Sequence, residues 1–274
     1  MWTPERFFSE HEAPENLESQ VDAVTRFVAR HKAENRRVVL VTSGGTTAPL
    51  ERNVLAPFTR LYSHTTNPFF ELLEEPARGD GKTIRVADAH AEKLLAVLHS
   101  FHAARASETL LNINFVSVIE YLFLLRGVAT AMRPLGAHAM FYLAAAVSDF
   151  FIPITDIPEH KIQSDGGSLN IHMDQVPKVL GILVREWAPE AYTISFKLET
   201  DDALLIPKAE RSLKSYSHSL VIGNNLHRRK HEVVLVSRRP DNTFEHTWIR
   251  TKDHEIEQDI VASLDARHSE HLAI

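Results

Sequence analysis

"VVLVTSGGTTAPLERNVLAPF", Val38 to Phe58, is the stretch on which the fold turns. Val38–Thr42 reads as a buried strand, and Gly44-Gly45 offers a tight turn at its end. Nucleotide-binding α/β units begin in this way. A helix N-terminus then receives phosphate, and the chain climbs back through that helix. Here Pro49 and Pro57 follow instead, with a polar stretch between them.

Outward from this stretch, helical and strand patterns alternate. Leu17, Val21, Val24, Phe27 and Val28 recur at helical spacing and predict an amphipathic helix over about 15–34. "HAEKLLAVLHSFHAA" predicts a second, with Leu94, Leu95, Leu98 and Phe101 on one side. Thr109–Phe115 alternates like a strand. Ser117 and Glu120 make a capping box that opens the helix "VIEYLFLLRGVATAM". Ala139–Val147 is the next strand and runs into "SDFFIPITDIPEHKIQSDGG", too rich in proline and polar residues for a core element. Then come a helix "QVPKVLGILVREW", a strand "TISFKL", a helix "DDALLIPKAERSLKSY" capped by Thr200, and a strand "SLVIG" ending in two asparagines. "EVVLVS" and "FEHTWIR" suit a late antiparallel pair, and 254–267 a closing helix. The expected fold is α/β, a mostly parallel doubly wound sheet in one domain, 1–274, with an N-terminal helical extension of about 1–34. Pro76–Lys82 is expected to be the least ordered part.

Composition narrows the function classes. A 274-residue chain with 44% hydrophobic and 24% charged residues can build a sizeable core. A net charge of −6 gives no general case for binding nucleic acid. With no cysteine there is no disulfide, thiolate metal site or cysteine nucleophile, in keeping with a reducing compartment. Nothing approaches the roughly 20 apolar residues that span a bilayer, and the acidic start does not read as a signal peptide. A cytoplasmic protein without membrane contact is expected. The sixteen histidines are scattered, with no H-E-x-x-H pairing, so no protein-held metal set is expected.

Ligands of open α/β sheets sit beyond the carboxyl ends of the strands. Four such ends carry polar or glycine-rich groups: Ser43–Thr46, Ser148-Asp149, Phe196–Thr200 and Gly223–Asn225. Their convergence says more than any one of them. Alone, Gly44-Gly45-Thr46 is either a tight turn or a phosphate cradle, Asp149 reads as a cap, and Lys161 as a solvated surface charge. No G-x-G-x-x-G followed by an acidic residue is present, which disfavours a dinucleotide oxidoreductase.

"FYLAAAVSDFFIPITDIPEHKIQSDGGSLNI", "VPKVLGILVREWAPEAYTISFKLETD" and "LVIGNNL" closely resemble the eukaryotic type of phosphopantothenoylcysteine synthetase, and "RRVVLVTSGGTTAPLE" resembles the start of that family. The resemblance covers roughly 35–53 and 54–268. It implies a Rossmann-like homodimer that joins 4′-phosphopantothenate to cysteine in coenzyme A synthesis. ATP is the co-substrate, with Mg2+, through an acyl-nucleotide intermediate; bacterial members use CTP. By position, Gly44, Gly45 and Thr46 match part of the nucleotide cradle. Ala144, Ala145, Ala146 and Asp149 match the strand end and loop that bind nucleotide and substrate. Lys161 matches the lysine on the nucleotide phosphates, Phe196 the aromatic bordering the nucleotide, and Asn224 the asparagine of a V-A-N motif. Gly223 replaces that motif's alanine.

In the family, the G-G-T…P-L-E segment is followed by a strand-like V-R-F, then D-N-F-S-[SA]-G-x-x-G, a helix and a second strand. This chain passes from "PLERN" straight to "VLAPFTRLYSH". The resemblance therefore implies that about thirty to forty residues, a β-α-β crossover, are absent between Asn53 and Val54. The remaining sheet must then expose a face, rearrange, or pair with something. Two readings stand: a ligase of this family, or a non-catalytic relative that binds nucleotide or pairs with a complete subunit.

Overall fold

The structure is a computed structural model that describes residues 2–46, 73–74, 84–157 and 170–273. The Pro49–Pro57 stretch, the Asn53–Val54 junction, Pro76–Lys82 and Lys161 lie outside the described residues. The chain divides into two compact units, one of residues 53–114 and one of 1–52 with 115–274.

In the larger unit, α1 (Pro4–Glu10) and α2 (Leu17–Ala33) lead into β1 (Val38–Thr42). The Thr3 hydroxyl caps α1, a helix that the sequence pattern did not announce. In the smaller unit, β2 (Leu73–Glu74) pairs antiparallel with β3 (Arg85–Val86), and α3 (Asp88–Ala106) follows. No residue of α3 is buried, and Leu95, Leu98 and Phe101 stand exposed on it. The strand expected at Thr109–Phe115 does not form. That segment joins no ladder among the described residues, and Leu110 and Leu111 are exposed. Alternation marks a strand only where an edge is available to receive it.

The capping box then opens α4 (Val118–Met132). The Glu120 amide donates to Ser117 Oγ at 3.1 Å, and the Ser117 amide donates back to Glu120 Oε2 at 3.1 Å. The chain continues through β4 (Ala139–Leu143), the short pair β5 (Phe150–Phe151) and β6 (Asp174–Gln175), and α5 (Leu180–Ile182), which passes into a wider π turn over Leu183–Trp187. Next come β7 (Tyr192–Glu199), α6 (Asp202–Tyr216), β8 (Leu220–Asn225), β9 (Glu232–Arg238), β10 (Phe244–Arg250) and α7 (Ile256–Leu272). Asp201, not Thr200, caps α6: its Oδ1 accepts the Ala203 amide at 2.9 Å. The helix starts one residue too late for Thr200 to reach the first free amides.

The main sheet has the order β1-β4-β7-β8-β9-β10. The first four strands are parallel, and β9 runs antiparallel to both neighbours. Both faces are covered. On one, Ile256, Ile260 and Leu264 of α7 pack on Met140, Ile194, Ile222 and Leu235. On the other, Leu205, Ala209 and Leu213 of α6 pack on Val221, Val234 and Val236. This is the doubly wound α/β sheet with a late antiparallel pair.

At β1 the covering fails on one face. Val38 and Thr42 are buried, yet Val39 is 46% and Val41 58% exposed. These two lie in register with Met140 and Tyr142, on the α7 face of the sheet. Burying such a side chain is worth about 1.5–3 kcal/mol, so two bare valines on an edge strand are a real loss.

Candidate active site

Because β1, β4, β7 and β8 are parallel neighbours, their carboxyl ends share one rim of the sheet. The first two are laced together beyond the regular ladder. Gly45 bridges Ala146, the Ala146 amide donates to the Gly44 carbonyl at 2.8 Å, and the Thr46 amide donates to the Ala146 carbonyl at 3.4 Å. Thr42 Oγ1 accepts the Ala145 amide at 3.2 Å, and Thr46 Oγ1 accepts the Ser148 amide at 2.9 Å. The Ala144 amide donates to the Tyr142 carbonyl. The alanine amides are thus engaged inside the protein. What Ala144–Ala146 present to a ligand is small bulk. Gly44 sits at φ +90°, where an L side chain is strained, and a Cβ there would meet nothing within 4 Å.

Next to these ends lies a cleft of about 560 Å3, lined from β4, β7, α4, α6 and the segment before α5. Of the residues picked out from sequence, it takes in Ser148, Asp149, Phe196 and Lys197. Phe196 meets Tyr142 edge-on, ring centres 5.0 Å apart. Asp149 Oδ1 accepts from Lys178 Nζ at 2.7 Å. Gly44, Gly45, Thr46, Ala144–Ala146 and Asn224 do not line the cleft but lie on the same rim. Asn224 Oδ1 is buried without a hydrogen-bond partner, an acceptor left open. Its neighbour Asn225 is fully occupied, donating to Asp202 Oδ1 at 2.8 Å and so pinning the start of α6 to β8.

The cleft's charge comes from Lys197, within the β7 end already singled out, and from Lys178, Lys208 and Arg211, which the sequence reading passed over; Asp149 is the one lining carboxylate among the described residues. Lys208, Arg211, Ser212 and Ser215 fall three or four apart on α6 and present one polar stripe to the cleft. Glu199 holds two of the lysines from behind, with Lys208 Nζ at 2.7 Å and Lys197 Nζ at 3.7 Å. Tyr121, also in the lining, is pushed up by burial, opposed by its hydrogen bond with Thr42. Four cations and several hydroxyls line the cleft beside the strand ends, an arrangement chemically suited to a phosphorylated ligand. No group of three or more acidic or histidine side chains suited to a metal exists among the described residues. A metal ion here would rest chiefly on the phosphate oxygens of a ligand, with Asp149 as the one carboxylate among the described lining residues.

Fold and cleft together define an α/β protein that takes an anionic ligand at its strand ends. The sequence profile of the DNA/pantothenate metabolism flavoprotein C-terminal domain matches residues 105–266. Human phosphopantothenate–cysteine ligase is 36% identical over 297 aligned positions, covering 95% of this chain and 96% of that protein. Its yeast counterpart, Cab2 of Saccharomyces cerevisiae, is 31% identical over 334 positions, covering 98% of this chain. The solved structure of a Cab2 mutant in complex with phosphopantothenate-cysteine superposes with a TM-score of 0.84 over 98% of each chain. This chain belongs to the phosphopantothenate–cysteine ligase family.

The human alignment also measures a shortfall. Its 297 positions exceed the roughly 260 residues that 95% of this 274-residue chain supplies, leaving about 37 filled only in the relative.

Proposed function

We propose that this chain ligates 4′-phosphopantothenate to cysteine, giving phosphopantothenoylcysteine in coenzyme A biosynthesis, with ATP as co-substrate. The observation that carries the reading is the cationic cleft at the strand ends of a fold shared with a ligase solved with phosphopantothenate-cysteine. The named relatives are ligases, which favours catalysis over a non-catalytic binding role.

In this reading the substrate carboxylate attacks the α-phosphate of ATP and pyrophosphate leaves. The cysteine amine then attacks the acyl carbon and AMP leaves. Lys178, Lys197, Lys208 and Arg211 offset the phosphate charge, and Lys161, outside the described residues, is added to them on the family resemblance. Mg2+, carried in with the nucleotide, supplies further charge neutralisation. Phe196 borders the nucleotide, Gly44, Gly45 and Thr46 form the turn beside its phosphates, and Asn224 offers its open oxygen to a ligand N–H. Ala144–Ala146 and Asp149 border the phosphopantothenate.

The positions absent relative to the human enzyme are assigned to the Asn53–Val54 junction. The exposed Val39 and Val41 on the α7 side of β1, a strand that ends the sheet among the described residues, support that assignment, since a strand and its crossover helix would cover both. A homodimer is supported by α3, whose exposed Leu95, Leu98 and Phe101 lack the apolar cover that stabilises a helix in water. No described helix is long and apolar enough to cross a bilayer.

The test is mass-spectrometric detection of phosphopantothenoylcysteine from the 274-residue chain at high enzyme concentration. Product that requires ATP, phosphopantothenate and cysteine together is expected. No product at any enzyme concentration, from protein that is folded, would contradict the reading.

A further inference from the structure

The cleft contains one hydroxyl whose direction is set by a buried histidine. Ser195 lies on β7 and lines the cleft. Its Oγ is 2.7 Å from His218 Nε2, its single hydrogen bond among the described residues. His218 follows Ser217, the left-handed residue at φ 56° that ends α6, and is only 5% exposed. Its other ring nitrogen, Nδ1, is buried with no partner.

That orphan decides the tautomer. A proton on Nδ1 would leave a buried N–H unpaired, whereas a proton on Nε2 leaves only a lone pair bare. Buried unpaired N–H groups are the rarer and costlier case. The ring is also neutral: burial lowers its pKa to about 4. The hydrogen-bond network therefore assigns Nε2–H as donor and Ser195 Oγ as acceptor. With its oxygen so engaged, the serine proton is free to point into the cleft, among Lys178, Lys197, Lys208 and Arg211.

We infer that Ser195 donates a hydrogen bond to a phosphoryl oxygen of the bound ligand, and that His218 is the positioning residue that fixes the direction of that bond. The inference rests on the ligase reading for its ligands, ATP and 4′-phosphopantothenate, which share the phosphoryl chemistry. A protonated His218 would serve the same donor role, but a ring flipped to Nδ1–H would draw the serine proton onto its own Nε2 and close the hydroxyl to ligand.

The experiment has two arms on the full chain. Long-range 1H–15N correlation of the imidazole nitrogens reads the tautomer without ligand or activity. His218 is expected to show a protonated Nε2 and a bare Nδ1, and the reverse would overturn the inference. Calorimetric titration with ATP and, separately, with 4′-phosphopantothenate reads the serine. Ser195→Ala is expected to weaken one of them about tenfold or more, the scale of a hydrogen bond to a charged group, and to leave the other within twofold. The ligand affected identifies the phosphoryl group that Ser195 touches. His218→Gln, whose amide nitrogen can replace Nε2–H, is expected to retain affinity within about threefold, while His218→Phe loses it as Ser195→Ala does. Unchanged affinity for both ligands in Ser195→Ala, or equal affinity in the Gln and Phe variants, would overturn the inference alone. Failure of the parent chain to bind either ligand would overturn the ligase reading and this inference with it.

Discussion

Lys208 on α6 and Glu199 at the end of β7 are joined by a 2.7 Å contact, so one carboxylate ties a helix and a strand together at the cleft. Lys208→Met removes a cation from the proposed phosphate seat and leaves the Glu199 carboxylate behind it with one partner fewer. ATP affinity is expected to fall about tenfold, in line with losing a charge-assisted bond of roughly 1.5–3 kcal/mol. Adding Glu199→Gln should recover part of that loss, a coupling that a double-mutant cycle measures. Equal affinity for ATP in the parent and Lys208→Met would remove Lys208 from the seat.

His218 makes stability depend on pH. Burial lowers its pKa to about 4 in the folded chain, against about 6.5 when unfolded. Between those values the unfolded chain binds the extra proton, so acid favours unfolding. The contribution of the neutral buried ring is complete above pH 6.5 and is lost as pH falls to 4, roughly 3 kcal/mol in all. His31 and His268, both lowered chiefly by burial, act in the same direction. Urea unfolding at pH 7 and pH 4.5 should show a smaller acid loss in His218→Gln than in the parent, by about 2 kcal/mol. Parallel losses would mean that the ring is not held neutral.

The sheet was legible because its signals are local. The Ser117–Glu120 pair announces α4 within four residues, and Val38–Val41 is apolar without interruption. The four polar strand ends were readable for the same reason, since each sits where an apolar run stops. The cations of the cleft were not. Lys208, Arg211, Ser212 and Ser215 have the spacing of any solvated helix face, and only the tertiary fold turns that face toward the strand ends. The Ser195–His218 contact joins β7 to the turn between α6 and β8, 23 residues on, and leaves no mark in spacing. Thr109–Phe115 failed in the opposite way, having a strand's alternation but joining no ladder among the described residues.

Lys161 is assigned to the nucleotide phosphates on resemblance, and its role has a direct check. In a chain with the absent segment restored, Lys161→Ala should cut turnover strongly with little change in melting temperature. Lys161→Arg should keep part of the activity, because a point charge needs no fixed fork geometry. Unchanged turnover in Lys161→Ala would return the residue to a surface charge.

Leu98 and Phe101 of α3 are exposed apolar residues on a helix without buried positions. If α3 supplies a dimer contact, Leu98→Asp with Phe101→Ser should shift the chain from dimer to monomer in sedimentation velocity. A parent chain that is monomeric at micromolar concentration, or a variant that remains dimeric, would contradict the homodimer through this helix.

Val39 and Val41 stand exposed on β1, and the proposed absence of a segment after Asn53 bears on the rate of the proposed reaction. Holding carboxylate and α-phosphate in line can be worth about 7–11 kcal/mol of barrier, and one lost preorganised donor costs roughly 2.7–4 kcal/mol. The decisive measurement is pyrophosphate release from ATP with phosphopantothenate and cysteine, at equal folded concentration, by the 274-residue chain and by a chain carrying a relative's segment between Asn53 and Val54. The expected result is a restored chain at least about a thousand-fold faster, with the short chain still making product. Turnover by the short chain within ten-fold of the restored one would contradict the account and show that the strand ends already present suffice.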